Sequence, residues 1–582
     1  MRNAGWVIWY ICLGWMIGLV VGQGPQCGPN SWWETTEVIG ASNGNYIFTY
    51  VISGAVSTNG AVIQARLRPV VLGNSTSVVV QAVVSRFQNL SRPVKRLRKS
   101  AFKDGGTNYR TNPGNWVARF VVSQLNPGTK YFYGFFAPDG FGSATGRFRT
   151  IQSPGTSTNV KIVQWSCIRK PPITIGEAMF RENAHFAIGN GDSIYAEKTV
   201  DWTGSRTDDL CRPCCLDPVP IRGYYDRLYF ETRSDAVNGD SGKRNFLKDT
   251  AHFMVLDDHE ITDNFAGRGD QTGGKMTDPI QIFDRGPNHG QLRKPLDVMK
   301  QLGQLGIEAF YTHNAHFPSY PVVPGVDPVS RQFHNFRVGT DLEVIILDLR
   351  QYRDQQADSL YTCPLLPPGR TQSQLCQEFP TLCSFFAPQD EPNFYRTNRT
   401  ALGRVQKQWL KNVLKKSTAE FKLVVSTYNW MQQYCNPQEY MTAYREERDE
   451  ILRFIETNLI ENVVFLEGDL HAAYFNRVNP GRSPVIWEVI VGASGDSVRP
   501  SDLEMYNFLN KYNNNGYQYQ NYSAIQYLYT GGPNYQVIRV KNKRMTIETR
   551  TPDGRIAIDL RGRRGVLSLP NLQEPVSPPL AT

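Results

Sequence analysis

Several apolar runs of this 582-residue chain stop at side chains able to bind a metal ion. "VKIVQWSC" closes on Ser166 and Cys167, and "HFAIGNGDSIY" on Asp192 with Tyr195 three residues later. "AHFMVLDDHEITDN" supplies Asp257, Asp258, His259, Glu260, Asp263 and Asn264, and "LEVIILDLRQYR" supplies Asp348, Arg350 and Arg353. "FKLVVSTYN" ends in Ser426, Thr427 and Asn429, and "VVFLEGDLH" in Asp469 and His471. Each motif alone has a simpler reading. Asp192 could cap a helix with Tyr195 packed on its first turn, His471 could be a core histidine, Asp258 and His259 a surface pair, and Cys167 an inert buried thiol. Co-occurrence decides between them. A chain with only eight histidines places His259 and His471 at the ends of apolar runs, each close to an aspartate. Carboxylate, imidazole, thiolate and phenolate groups that converge in this way suit metal-assisted hydrolysis.

Convergence requires elements that hold the tips side by side. Residues 24 to about 150 show short alternating runs such as "YIFTYVISG", "TSVVVQAVVS" and "KYFYGFFA", separated by turn signals such as "STNG" and "NPGT". That pattern predicts a β-sandwich, fibronectin-III-like, over residues 24–152. From residue 158 to 562 the apolar runs alternate with helix-like stretches at 295–314, 400–417 and 444–459, which predicts α/β architecture with strands covered on both faces. Ligands at the C-terminal edge of such a sheet converge because the strands fix the loop stems. Residues 535–551 read as terminal strands and 563–582 as a disordered tail.

Bulk properties agree with a globular, sheet-rich protein: 40% apolar and 20% charged residues, with net charge +10. The positive balance fits anionic substrates or surfaces and is no argument for nucleic acid. "KRLRKS" at 95–100 is the densest basic run and reads as a solvated loop. Residues 1–22 read as a signal peptide, with a retained anchor as the alternative that would add a membrane attachment. Of the ten cysteines one lies in that segment. The clusters Cys211–Cys215 and Cys363–Cys383 suit disulfides in loops, leaving Cys167 as a free thiol, and four glycosylation sequons fit export.

The ordered series S-C, G-D-x-x-Y, D-D-H-E-x-x-x-N, D-x-R-x-Y-R and G-D-x-H resembles the PhoD-like alkaline phosphatases of the calcineurin-like metallophosphoesterase superfamily, over most of residues 24–560. The resemblance implies a four-layer α/β/β/α core, secretion to the cell surface, wall or periplasm, and hydrolysis of phosphomonoesters and phosphodiesters by Fe3+ and Ca2+. By position, Cys167, Asp192, Tyr195 and His471 would hold iron, and Asp192 would bridge to calcium bound by Asp258, Asn264 and Asp469. His259 would act as the acid or phosphate contact. Two departures stand out. Asp263-Asn264 replaces a paired Asn-Asn, and the helix before "EAFYTHNAHFP" lacks leading basic residues, so Arg350 and Arg353 become candidates for the phosphate-binding cation, with a salt bridge to Asp348 the other reading of Arg350. The ligand chemistry is coherent: hard Fe3+ favours carboxylate and phenolate, and Ca2+ takes several oxygens in loose geometry. Zinc would also accept Cys, His and Asp.

Three functions are then open. The first is an extracellular phosphatase that scavenges phosphate from small esters. The second is a dedicated diesterase on teichoic-acid-like or phospholipid substrates, and the third a non-catalytic binding or adhesion protein.

Overall fold

The computed structural model describes residues 41–70, 75–105, 113–168, 173–196, 199–200, 206–207, 218–233, 241–261, 265–267, 296–317, 331–354, 370–380, 399–427, 429–431, 440–479, 481–495, 504, 524–559 and 561–569. Two large sheets dominate. One is ten-stranded and runs, across its width, Val566–Leu569, Arg544–Arg550, Tyr535–Lys541, Asn159–Trp165, Phe186–Gly189, Ala251–Met254, Tyr46–Gly54, Ala61–Pro69 and Val117–Val122, with Ala41–Ser42 beside Tyr46–Gly54. The other is seven-stranded: His334–Val338, Leu342–Ile346, Phe421–Val425, Val463–Glu467, Ile486–Ile490, Ala473–Arg477 and Ala524–Tyr529. Pro93–Phe102, Ser77–Ser85, Lys130–Phe136 and Gly146–Arg149 make a third sheet, and Thr199–Val200 pairs with Arg206–Thr207.

Side-chain alternation along each strand builds the layers. In Asn159–Trp165, Val160 and Ile162 join the core between the two large sheets, whereas Val163 and Trp165 join a separate cluster with the helices Ile173–Arg181, Pro218–Arg233 and Leu296–His313. In Val463–Glu467, Val464 and Leu466 face the inter-sheet core, and Val463 and Phe465 face the helices Gly403–Lys416 and Arg445–Thr457. The three helical stretches read from periodicity are thus present at 296–313, 403–416 and 445–457.

Polar pins tie the two sheets together at one edge. Gln164 Nε2 donates to the Glu467 carbonyl at 2.9 Å, and Asn190 Nδ2 donates to the Ser426 and Leu466 carbonyls, both at 2.9 Å. All of these groups are buried, so each pin satisfies donors and acceptors that water cannot reach.

The N-terminal strands do not form a separate body. Tyr46–Gly54 pairs in parallel with Ala251–Met254 through His252 and Gly54. Arg119 donates from the Val117–Val122 strand to the carbonyls of Thr312 and Asn314 at 3.0 Å each, and Gln64 donates to the Thr312 carbonyl at 2.9 Å. A cation from the N-terminal strands therefore caps the C-terminus of the Leu296–His313 helix, where orphan carbonyls gather. The basic run at 95–100 is a correction to the sequence reading. It lies within the strand Pro93–Phe102 at an edge of the third sheet, and its alternating exposure shows why charges there are compatible with a strand. Cys167 is a free, buried thiol and Cys376 is disulfide-bonded. The disordered tail expected from 563 is corrected in part: Val566–Leu569 is a strand paired with Arg544–Arg550, held by Leu567 and Leu569 in the inter-sheet core. The other cysteines, the 1–22 segment and residues 570–582 lie outside the described residues.

Candidate metal centre

Four candidate ligands share an uncommon backbone. Cys167, Asp192, Asp469 and His471 all adopt left-handed conformations, with φ of 53°, 55°, 69° and 57°. A non-glycine residue there costs on the order of 1 kcal/mol or more, and such residues gather at functional sites. Here the cause is local: parallel strands end abreast, and the chain must turn back sharply at each tip. Gly191, with φ 83°, makes the tightest turn, because a Cβ there would overlap the Asp257 side chain. Across the gap, Ser494 N donates to the Ser166 carbonyl at 2.8 Å and Gly495 N to the Cys167 carbonyl at 3.1 Å. The tips of the two sheets therefore meet.

Asp192 sits at the centre. Three groups of side chains, each with ligand atoms within 4.8 Å of one another, share it: Cys167, Asp192 and His471; Asp192, Asp258 and His259; and Asp192, Asp257, Asp258 and Asp469. Cys167 Sγ is 3.6 Å from Asp192 Oδ2, and His259 Nε2 is 3.9 Å from the same oxygen. Tyr195 Oη lies 3.4 Å from His471 Nε2, which brings the phenol to the thiol side of Asp192, and its ring packs on His259 with centroids 4.3 Å apart. Arg350 is fully buried; its Nε pairs with Asp257 Oδ1 and its Nη2 lies 3.3 Å from Asp258 Oδ1. Arg353 is also fully buried. Asn264 lies outside the described residues.

Protein groups alone leave this arrangement electrostatically unsatisfied. Burial first, then the neighbouring Asp257, Asp258 and Glu260 carboxylates, push the Asp192 carboxyl well above the usual range, against the pull of His259. Burial, Asp192 and Asp469 likewise raise the Cys167 thiol. Asp257 is pushed up to about 7 by burial, despite Arg350 beside it. Asp192 Oδ1 is buried with no hydrogen-bond partner among the described residues. An acceptor without a donor, among carboxylates that repel, is what a multivalent cation would resolve, so the donor set fits a metal. The thiol side offers S, N and phenol O donors, and the Asp257–Asp258–Asp469 side offers only oxygen.

Glu260 was named in the sequence without a role, and the structure gives it one. Its carboxylate accepts from Asp192 N at 3.1 Å, Ser193 N at 2.6 Å, Ser193 Oγ at 2.9 Å and Asp257 N at 2.9 Å. One buried side chain thus clamps both loops that carry the acidic cluster. The available signal was its position one residue past His259, inside a strand-end motif too short to form a helix. Asp257, also passed over, joins the all-oxygen group.

A cluster of this kind at the edge of paired sheets could hold a metal ion, and comparison with known proteins gives the class, a phosphoric ester hydrolase. The PhoD-like phosphatase model matches residues 165–549, and the PhoD-like phosphatase N-terminal domain model matches residues 35–152. The chain belongs to the PhoD-like phosphatase family. It is 24% identical over 459 residues to alkaline phosphatase D of Bacillus subtilis (strain 168), covering 76% of this chain and 68% of that protein. Its fold is similar to a solved structure of PhoD, with TM-score 0.62, 18% identity and 89% of each chain covered. The protein is therefore an enzyme acting on phosphoesters, which sets aside the non-catalytic binding role.

Proposed function

We propose that the enzyme is an exported phosphatase that releases phosphate from both monoesters and diesters, with a four-layer α/β/β/α core and an unlike pair of metals. The observation that carries this reading is Asp192, shared between a Cys–His group and an all-carboxylate group. Cys167, Asp192, Tyr195 and His471 would hold Fe3+, and Asp192, Asp258, Asp469 and Asn264 would hold Ca2+, by donor softness and charge. Bound there, the cations would supply Lewis-acid polarisation of the phosphoryl oxygens and neutralise developing charge. The chain's own groups do the rest. His259, 3.9 Å from Asp192 Oδ2 and packed on Tyr195, would donate a proton to the leaving oxygen or to a phosphate oxygen. Arg350, between Asp257 and Asp258, fixes the two acids and offsets their charge, which makes it a positioning group first and a phosphate contact second. The other reading of Arg350 is a salt bridge with Asp348; the ion pairs it makes here are with Asp257 and Asp258.

Purified protein should contain iron and calcium, and a tyrosinate-to-iron charge-transfer band should colour it. Tyr195→Phe should bleach that band, and Asp192→Ala should lose metal and at least about a hundredfold in kcat together. Full activity in Asp192→Ala would refute the assignment. Rates on a monoester and a diester, measured side by side, decide between a general phosphatase and a dedicated diesterase.

A further inference from the structure

A cavity of about 680 Å³ opens away from the metal centre. Its wall includes Arg544, Arg563 and Arg564, with Trp487, Phe475 and Tyr527 in the floor. Strand register locates it. Lys541, which faces Arg544 across their hairpin, pairs with Asn159 at the N-terminal end of the strand whose C-terminal end leads to Cys167. On the other sheet Trp487 pairs with Val464, near the start of the strand that ends before Asp469. At about 3.3 Å per residue the eight residues from Asn159 to Cys167 separate the two regions by on the order of 25 Å. The cavity is lined by the outer strands of the two sheets, Arg544–Arg550 and Val566–Leu569 on one and Ala473–Arg477 and Ala524–Tyr529 on the other.

Its chemistry is specific. Arg563 is committed to Asp559, with Nε 2.7 Å from Oδ2. Arg544 and Arg564 are exposed and have no acidic partner among the described residues. Arg544 follows a turn in which Asn542 and Lys543 have φ of 51° and 56°, the tight hairpin geometry that fixes the side chain's starting point. Trp487 is 5% exposed, and its indole N–H, which buried tryptophans normally satisfy, has no hydrogen-bond partner among the described residues. Phe475 and Tyr527 pack with centroids 4.9 Å apart and ring planes tilted by 32°. Two guanidinium groups, a buried donor and an aromatic floor match an anion that carries an apolar or ring body.

We propose that this cavity is a binding site for a phosphate-bearing chain molecule, its phosphates on Arg544 and Arg564 and its body against Trp487 and Phe475. The site stands apart from the metal centre. It would hold a polymeric phosphoester on the enzyme while small esters reach the metals independently.

Titration calorimetry of the full-length protein with inorganic polyphosphate, and separately with orthophosphate, tests this. Arg544→Glu/Arg564→Glu should weaken polyphosphate binding on the order of tenfold or more, the effect of losing charge-assisted phosphate contacts. Its unfolding midpoint and its kcat and KM on a small monoester should stay as in wild type. Trp487→Phe, which removes the buried N–H that would reach a phosphate oxygen and keeps an aromatic ring, should weaken binding several-fold. Arg96→Glu/Arg98→Glu, which reverses two exposed arginines of the strand Pro93–Phe102, should leave binding within about twofold. Wild-type binding in Arg544→Glu/Arg564→Glu, or an equal loss in Arg96→Glu/Arg98→Glu, overturns the proposal. Orthophosphate that competes at equal phosphate concentration shows a site for single phosphate groups and overturns the chain-molecule reading; its failure to compete supports that reading. Loss of monoester turnover alone reports on the metal centre and not on this cavity.

Discussion

The left-handed tips are the residue-scale signature of this enzyme. Cys167, Asp192, Asp469 and His471 pay for sharp turns so that four side chains from the ends of three strands approach one another. Gly191 is the residue that makes this possible, since its φ of 83° and its contact with Asp257 both exclude a side chain. Gly191→Ala should lower stability by about 2–4 kcal/mol in denaturant unfolding and reduce metal content as Asp192 shifts. At this scale the sequence was informative, because ligand types at the ends of apolar runs name themselves. It was silent on backbone conformation: nothing in Cys167 or His471 as residue types announces a positive φ.

At the scale of elements, the loops after Phe186–Gly189 and Ala251–Met254 act as one unit because Glu260 binds both. Glu260→Gln replaces an acceptor by an amide group that must face N–H donors. Unfolding free energy should fall by about 2–3 kcal/mol, with kcat reduced as the acidic cluster loosens. Stability unchanged by this substitution would remove Glu260 from the clamp. The helices at 403–416 and 445–457 were legible from their apolar spacing, since amphipathic stripes are written locally. The strand Pro93–Phe102 was not legible, because an edge strand carries charge on both faces and mimics a loop. Glu260 was equally opaque: its partners lie 67 and 68 residues away along the chain.

Across the whole molecule, buried histidines set the acid limit. Burial pushes His252 down to about 3 and His313 down to about 4, against about 6.5 in an unfolded chain. Between those values the unfolded chain binds more protons than the native one. Stability is therefore complete above about pH 6.5 and declines as pH falls toward 4, by a few kcal/mol for each ring. Urea unfolding at pH 7, 5.5 and 4.5 should show this decline, and His252→Phe should make it shallower; an unchanged slope in that variant would exclude His252. His313 belongs to a chain of contacts that joins the two sequence regions: Tyr50 Oη is 2.8 Å from its Nδ1, and Asp226 Oδ1 is 2.8 Å from its Nε2. The pairing of Tyr46–Gly54 with Ala251–Met254 had no sequence signal, as it joins segments about two hundred residues apart through backbone atoms alone.

That shared sheet has a practical consequence. Excising the first hundred and fifty residues would bare the flank of Ala251–Met254 and uncap the Leu296–His313 helix in the same stroke. The liberated remainder would present unpaired amides to any passing copy of itself, so the leading module behaves as a built-in guard against clumping rather than as a detachable appendage.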